Sequence, residues 1–93
     1  MAKIRILHLV PNLSKISGVM SVIMNYYRNI NRNEIQFDFL YYKNIENNYK
    51  KEIEDLGGKV FLISKPSFSR SFKNELENFF KDHGCKYAAL HNH

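Results

Sequence analysis

Residues 4–10 read IRILHLV, and this stretch decides the fold. It is apolar almost throughout, with only Arg5 and His8 interrupting it. A strand with one wet face alternates apolar and polar residues. A strand covered on both faces reads as a continuous apolar run, so residues 3–10 are expected at the centre of a parallel sheet. Pro11 and Asn12 stop the strand, and a loop follows through Ser17 and Gly18.

Working outward, strand and helix patterns alternate to the end of the chain. A first helix is expected over residues 19–30. Ser17 is its N-cap, and Val19, Val22, Ile23, Tyr26 and Ile30 form its apolar face. IQFDFLYY (35–42) is a second strand. A second helix is expected over 45–56, with Tyr49, Ile53 and Leu56 inward. One glycine of Gly57-Gly58 suits the left-handed position that ends it. KVFLIS (59–64) is a third strand. A third helix covers 71–82 with Phe72, Leu76, Phe79 and Phe80 as its stripe, and Gly84 closes it. KYAALH (86–91) is a fourth strand. The order βαβαβαβ requires parallel strands joined by right-handed crossovers, hence an α/β, Rossmann-like doubly wound sheet of order 3-2-1-4. The fourth strand has no helix after it, so its edge and the apolar row Tyr87, Ala89 and Leu90 are expected to be exposed. Self-association through that strand is expected in turn. The chain reads as the N-terminal portion of something longer.

Composition bounds the function. The 93 residues are 44% apolar and 14% aromatic, enough to bury a core. No apolar run reaches the length of a membrane-spanning helix, and the start lacks the pattern of a cleaved leader. The lone Cys85 excludes an intrachain disulfide framework and a multi-cysteine zinc module, and it points to a reducing, cytoplasmic location. Cys85 itself reads as a packing residue. The net charge of +5 favours anionic partners. The cations are spread along the chain, whereas a nucleic-acid module clusters them, so no nucleic-acid partner is expected.

Ligands of open parallel sheets bind beyond the C-terminal ends of the strands, at the switch point between strands 1 and 4. Those ends supply the loop PNLSKISGVM and the terminal His91-Asn92-His93, which are expected to face one crevice. In the loop, Gly18 and the helix N-terminus suit an anion, with Lys15 adding charge. The same glycine equally suits close helix–strand packing. Neither a GxGxxG fingerprint nor a phosphate-binding GxxxxGK[ST] occurs, and Asp38 lies mid-strand rather than at a ribose-binding end. His91 and His93 stand two apart, on one face of a strand. His91 suits an acid–base or hydroxyl-binding role, or is an ordinary polar strand end. Zinc sites need more ligands than this pair supplies, so no metal is expected. His8 reads as a hydrogen-bonded core histidine. In KPSFSRSFK (65–73), Phe72 reads as core. Phe68 suits either core or a membrane interface, flanked there by Lys65, Arg70 and Lys73.

The succession IRILHLVPNLS, SVIMNYYRNI, IQFDFLYY, YKKEIEDLGGKVFLI and LHNH resembles the N-terminal domain of glycosyltransferase family 4, over essentially the whole chain. The resemblance implies half of a two-domain GT-B enzyme. Such an enzyme is retaining and transfers sugar from a nucleotide-sugar donor to a glycan or lipid-linked acceptor in polysaccharide assembly. Residues 1–93 would be the acceptor-side portion, inactive alone because the donor-binding domain is absent. No cofactor beyond the donor is implied. Gly18 matches the second glycine of the family's GGxE loop, with Ser17 at the first glycine and Met20 at the glutamate. His91 and His93 match the two histidines that follow strand 4, with Ala88 where the family has aspartate. The resemblance thus implies substrate binding by Ser17, Gly18 and His93 and a catalytic His91, to which the loop reading adds Lys15 as a substrate-binding charge; a cytoplasmic protein, able to sit peripherally on the inner membrane face, is expected. The alternative is a stand-alone α/β module for a phosphate-bearing ligand or a protein.

Overall fold

The computed structural model describes residues 4–63, 70–83 and 87–92. The run IRILHLV forms strand β1 (Ile4–Val10) in the interior of a four-stranded sheet. It pairs in parallel with β2 (Ile35–Tyr41) on one side and with β4 (Tyr87–Asn92) on the other. Strand β3 (Val60–Leu62) pairs in parallel with β2, giving the order β3-β2-β1-β4. Helix α1 (Gly18–Asn29) and helix α2 (Lys50–Asp55) share one face, and helix α3 (Arg70–His83) covers the other.

The larger core lies under α1 and α2. Met20, Ile23, Met24 and Tyr27 of α1 pack on Phe37, Phe39 and Tyr41 of β2, with Val10, Leu13 and Ile53 completing it. The second core joins Leu7, Leu40 and Ile63 to Leu76, Phe79 and Phe80 of α3. Burial of β1 on both sides explains why its sequence does not alternate.

Two helices differ from the sequence reading. Helix α1 is apolar over more than half its circumference, so two overlapping stripes compete. The one buried is Met20, Ile23, Met24 and Tyr27, while Val19, Val22 and Tyr26 point out. The inward rotation lets the Tyr27 hydroxyl donate to Gln36 Oε1 inside the core. Helix α2 begins at Lys50, five residues later than residue 45. Residues 43–49 are bound elsewhere: Lys15 N–H donates to Asn47 O at 3.0 Å and Tyr49 N–H to Leu13 O at 2.9 Å. Asn48 turns its amide back onto the Ile45 and Glu46 carbonyls. Backbone spent on this loop pairing is unavailable to a helix.

The end of α2 follows its glycines. Gly57 has φ +96°, its N–H reaches Glu54 O, and Gly58 N–H reaches Ile53 O at 2.9 Å. This is a Schellman closure, which needs the left-handed residue. Gly58 is required for space: a Cβ there would lie 2.6 Å from Phe37 O and from the Tyr27 hydroxyl.

Strand β4 contains an irregularity. Arg5 pairs with Tyr87 but Ile6 with Ala89, so Ala88 has no partner across on β1. Tyr87 and His91, four apart, therefore face opposite sides of the sheet. Tyr87 and Ala89 do not form one apolar row, because Tyr87 turns inward and its hydroxyl donates to Asp38 at 2.8 Å. Cys85, Gly84, Phe68 and His93 lie outside the described residues, as does the side chain of Phe72.

Candidate functional site

Two cavities lie along helix α1, one at the loop that precedes it and one on its flank. The first, the more polar of the two, is about 410 Å³ and lined by Asn12, Ser14, Ile16, Ser17, Lys43 and Ile45. Its wall is a chain of local turns. Asn12 Oδ1 accepts Ser14 N–H at 2.9 Å, and Ser14 Oγ accepts Ile16 N–H. Ser17 caps α1 by accepting Met20 N–H at 3.3 Å. Antiparallel pairing of Ser14 with Asn48 ties this loop to the one after β2, which brings Lys43 to the rim. The amide dipoles of α1 and the Lys43 ammonium give the cavity the chemistry of an anion or a hydroxyl-rich ligand.

The second cavity, about 290 Å³, opens between α1 and β4. Val22, Ile23, Tyr26 and Phe37 form its apolar walls, and His8 and His91 its polar floor. The two histidines are register partners on β1 and β4. Their ring centroids are 5.4 Å apart at 61°. His8 is buried, stacked on Phe39 and edge-on to Phe37, while His91 is exposed to the opening.

The residues singled out from sequence therefore divide. Ser17 lines the polar cavity, with Lys15 exposed beside it on the same loop. Gly18 opens α1 with no atom within 4 Å of a Cβ built on it and with no positive φ, so close packing is not its reason. His91 lines the apolar cleft instead. The expectation of one shared crevice is corrected: the first loop leans toward the loop after β2, whereas β4 turns His91 onto the α1 face beside His8. His8 is a core histidine as expected and also a cleft residue, which sequence alone did not reveal. Asn12, Ser14 and Lys43 were also missed. The Asn-x-Ser spacing of a side-chain turn was the available signal for the first two.

On the α3 face, Asp38 organises a polar cluster. It accepts Arg5 through both its oxygens, at 2.8 and 3.2 Å, along with Lys59 N–H at 3.0 Å and the Tyr87 hydroxyl. The hydrogen bonds to Asp38 raise the Arg5 guanidinium further. Burial, then the Asp38 hydrogen bond, raises the Tyr87 phenol. This carboxylate accepts four hydrogen bonds from three residues and ties β2 to β1, to β4 and to the residue that leads into β3. Among the described residues, no group of three or more His, Cys, Asp or Glu is placed to hold a metal ion, and no helix is long and apolar enough to cross a membrane.

The parallel sheet of order 3-2-1-4, with helices on both faces, defines an α/β domain of Rossmann-like topology. No family model matches the chain, and no solved structure does. A curated relative does: a Bacillus subtilis (strain 168) protein described as "Putative glycosyltransferase EpsF". It is 34% identical over 93 aligned residues, which take in 96% of this chain and 23% of the relative. The chain thus spans about a quarter of the length of the relative it matches.

Proposed function

We propose that this chain is the N-terminal, acceptor-side portion of a retaining glycosyltransferase of GT-B architecture. The enzyme moves sugar from a nucleotide-sugar donor to a glycan or lipid-linked acceptor. The observation that carries the reading is the 34% identity, which extends across nearly the whole chain rather than one motif. The two cavities agree with a division of labour. The more polar one, lined by Ser17 and Lys43 and with Lys15 and Gly18 on the loop beside it, receives the phosphate-bearing side of a ligand. The cleft carries His91, which hydrogen-bonds or polarises the reacting sugar. No metal or further cofactor enters this scheme.

The test is a chimera in which these 93 residues replace the matching segment of the Bacillus subtilis relative. The chimera should turn over a nucleotide sugar, and the chain alone should not. His91→Ala in the chimera should lower kcat by roughly ten- to a thousandfold. Turnover by the isolated chain, or full activity in the histidine variant, would overturn the reading. The second reading, a self-sufficient module for a phosphate-bearing ligand, is favoured by Lys43 on the polar cavity. It predicts nucleotide-sugar binding by the isolated chain that Lys43→Ala abolishes.

A further inference from the structure

The cleft on the flank of α1 is poorly suited to a fully hydroxylated hexose. Among the described residues that line it, the polar side-chain groups are the imidazoles of His8 and His91 and the Tyr26 hydroxyl. Val22, Ile23 and Phe37 supply the rest of the wall. A hexose carries a hydroxyl on almost every ring carbon. A hydroxyl pressed against valine, isoleucine or phenylalanine loses its water and gains no partner. The side chains that would satisfy hydroxyls, Asn12, Ser14, Ser17 and Lys43, stand around the other cavity. The two cavities therefore sort ligand groups by polarity.

Size and chemistry narrow the occupant further. The volume of about 290 Å³ lies at the lower end of ligand pockets, so the cleft holds one substituted ring and not an oligosaccharide. Its inner wall is fixed, because Ile23 and Phe37 belong to the larger core and His8 is packed edge-on to Phe37, with ring centroids 4.3 Å apart. Val22 and Tyr26 form the lip and are exposed. At the floor, His91 faces the opening beside the buried His8. A neutral imidazole offers one N–H donor and one acceptor nitrogen. The occupant must therefore join an apolar group, for Val22, Ile23 and Phe37, to a group that donates and accepts, for His91. On a sugar, the acetamido substituent does both: it carries a methyl group, an amide N–H and a carbonyl oxygen.

We infer that the sugar meeting His91 is an acetamido sugar, with its methyl group lodged among Val22, Ile23 and Phe37 and its amide at His91. The Tyr26 ring closes the outer side, its apolar body toward the sugar and its hydroxyl toward water. The inference rests on the sugar-transfer reading and narrows it to a substrate class. It also makes Val22 and Ile23 residues that set specificity. A hydroxyl in place of the acetamido group is disfavoured by at least tenfold, up to the roughly hundredfold that an apolar pocket exacts for an added hydroxyl. A deoxy sugar satisfies the apolar walls but brings no amide to His91, so it ranks between the two.

The test is titration of the 93-residue chain with the methyl glycosides of N-acetylglucosamine, glucose and fucose, followed by NMR of its methyl groups and imidazoles. The N-acetylglucosamine glycoside should shift the Val22, Ile23 and His91 signals and bind at least tenfold more tightly than the glucoside. Val22→Ser should weaken it roughly four- to tenfold through the lost apolar contact, with the circular dichroism spectrum unchanged because the side chain is exposed. Leu62→Ser, equally exposed on β3, should leave it intact. Equal binding of glucoside and acetamido glycoside, tightest binding of the fucoside, or no shift at the cleft signals would overturn the inference. The chimera separates this outcome from the transfer reading. An active chimera beside an unselective cleft overturns the acetamido assignment alone, and an inert chimera beside a selective cleft overturns sugar transfer alone.

Discussion

Asp38→Asn tests the cluster that joins the strands. The carboxylate is 1% exposed and accepts four hydrogen bonds, two from Arg5 and one each from Lys59 N–H and Tyr87. An asparagine of the same shape offers one acceptor oxygen and sets an amide N–H₂ against the guanidinium donors. The Arg5 cation then lies in a half-buried position without its counter-charge. Breaking one partner of a buried pair costs about 3–5 kcal/mol. A domain of this size has roughly 5–14 kcal/mol in total, so the loss takes a large share. It corresponds to a fall in melting temperature of about 12 °C or more. Urea unfolding followed by circular dichroism measures it directly. Tyr87→Phe alone should cost about 1.5–3 kcal/mol, because its hydroxyl donates to a charged acceptor. In the Asp38→Asn background it should cost clearly less, since the two share one interaction. A loss below about 1 kcal/mol for Asp38→Asn, or strict additivity with Tyr87→Phe, would refute the account of this cluster as a tie across the sheet.

Other outcomes follow from single contacts. Gly58→Ala should destabilise by several kcal/mol, because its Cβ would meet the Phe37 carbonyl at 2.6 Å, whereas Gly18→Ala should be neutral or stabilising by up to about 1 kcal/mol, with open space around it. If Gly18→Ala stays folded yet weakens donor use in the chimera described above, the backbone there approaches a ligand. An unchanged KM would remove that role. Burial raises the Tyr27 phenol to about 12, and Tyr87 is raised as well. Both stabilise the fold fully below the unfolded value near 10, and the contribution is lost as pH rises beyond it. Alkaline unfolding should therefore set in above about pH 10, with a shallower slope in Tyr87→Phe. The Arg28 hydrogen bonds hold the Glu52 carboxyl below its usual range. The pair is exposed, so Glu52→Gln should cost no more than about 1 kcal/mol near neutrality, and the difference should vanish in acid. Sedimentation in high salt tests association through the β4 edge, which hydrophobic contact would preserve and surface charge would not.

The fold was legible because its signals are local and repeated. IRILHLV cannot be a half-exposed strand, and each apolar run is followed by a helical pattern and a breaker, which leaves parallel pairing with crossovers as the only economical arrangement. What failed was choice among equals. Helix α1 offers 19-22-23-26 and 20-23-24-27 as apolar stripes, and periodicity does not rank them. The ranking came from Gln36, a residue of another strand that gives the Tyr27 hydroxyl its partner. The start of α2 was hidden for the same reason. Residues 45–49 are acceptable in a helix, but the first loop takes their backbone groups, and that pairing is a tertiary fact.

The site was less legible than the fold, and β4 explains why. In a regular strand, Tyr87 and His91 would point the same way, since side chains alternate with a period of two. Read so, the sequence gives one of them to the core and leaves the other beside it. The unpaired Ala88 shifts the register and removes that conflict: Tyr87 reaches Asp38 on one face while His91 joins His8 on the other. A single extra residue in a strand has no local signature in KYAALH. Its effect is visible only once Arg5, Asp38 and Tyr87 are seen to demand one phase, and the His8 register the other. The candidate cleft thus exists because a buried carboxylate on the far side of the sheet fixes where β4 begins its pairing. A change at Asp38 should therefore be felt not only as lost stability but as a displaced His91, observable as the loss of the ring contact between the two histidines.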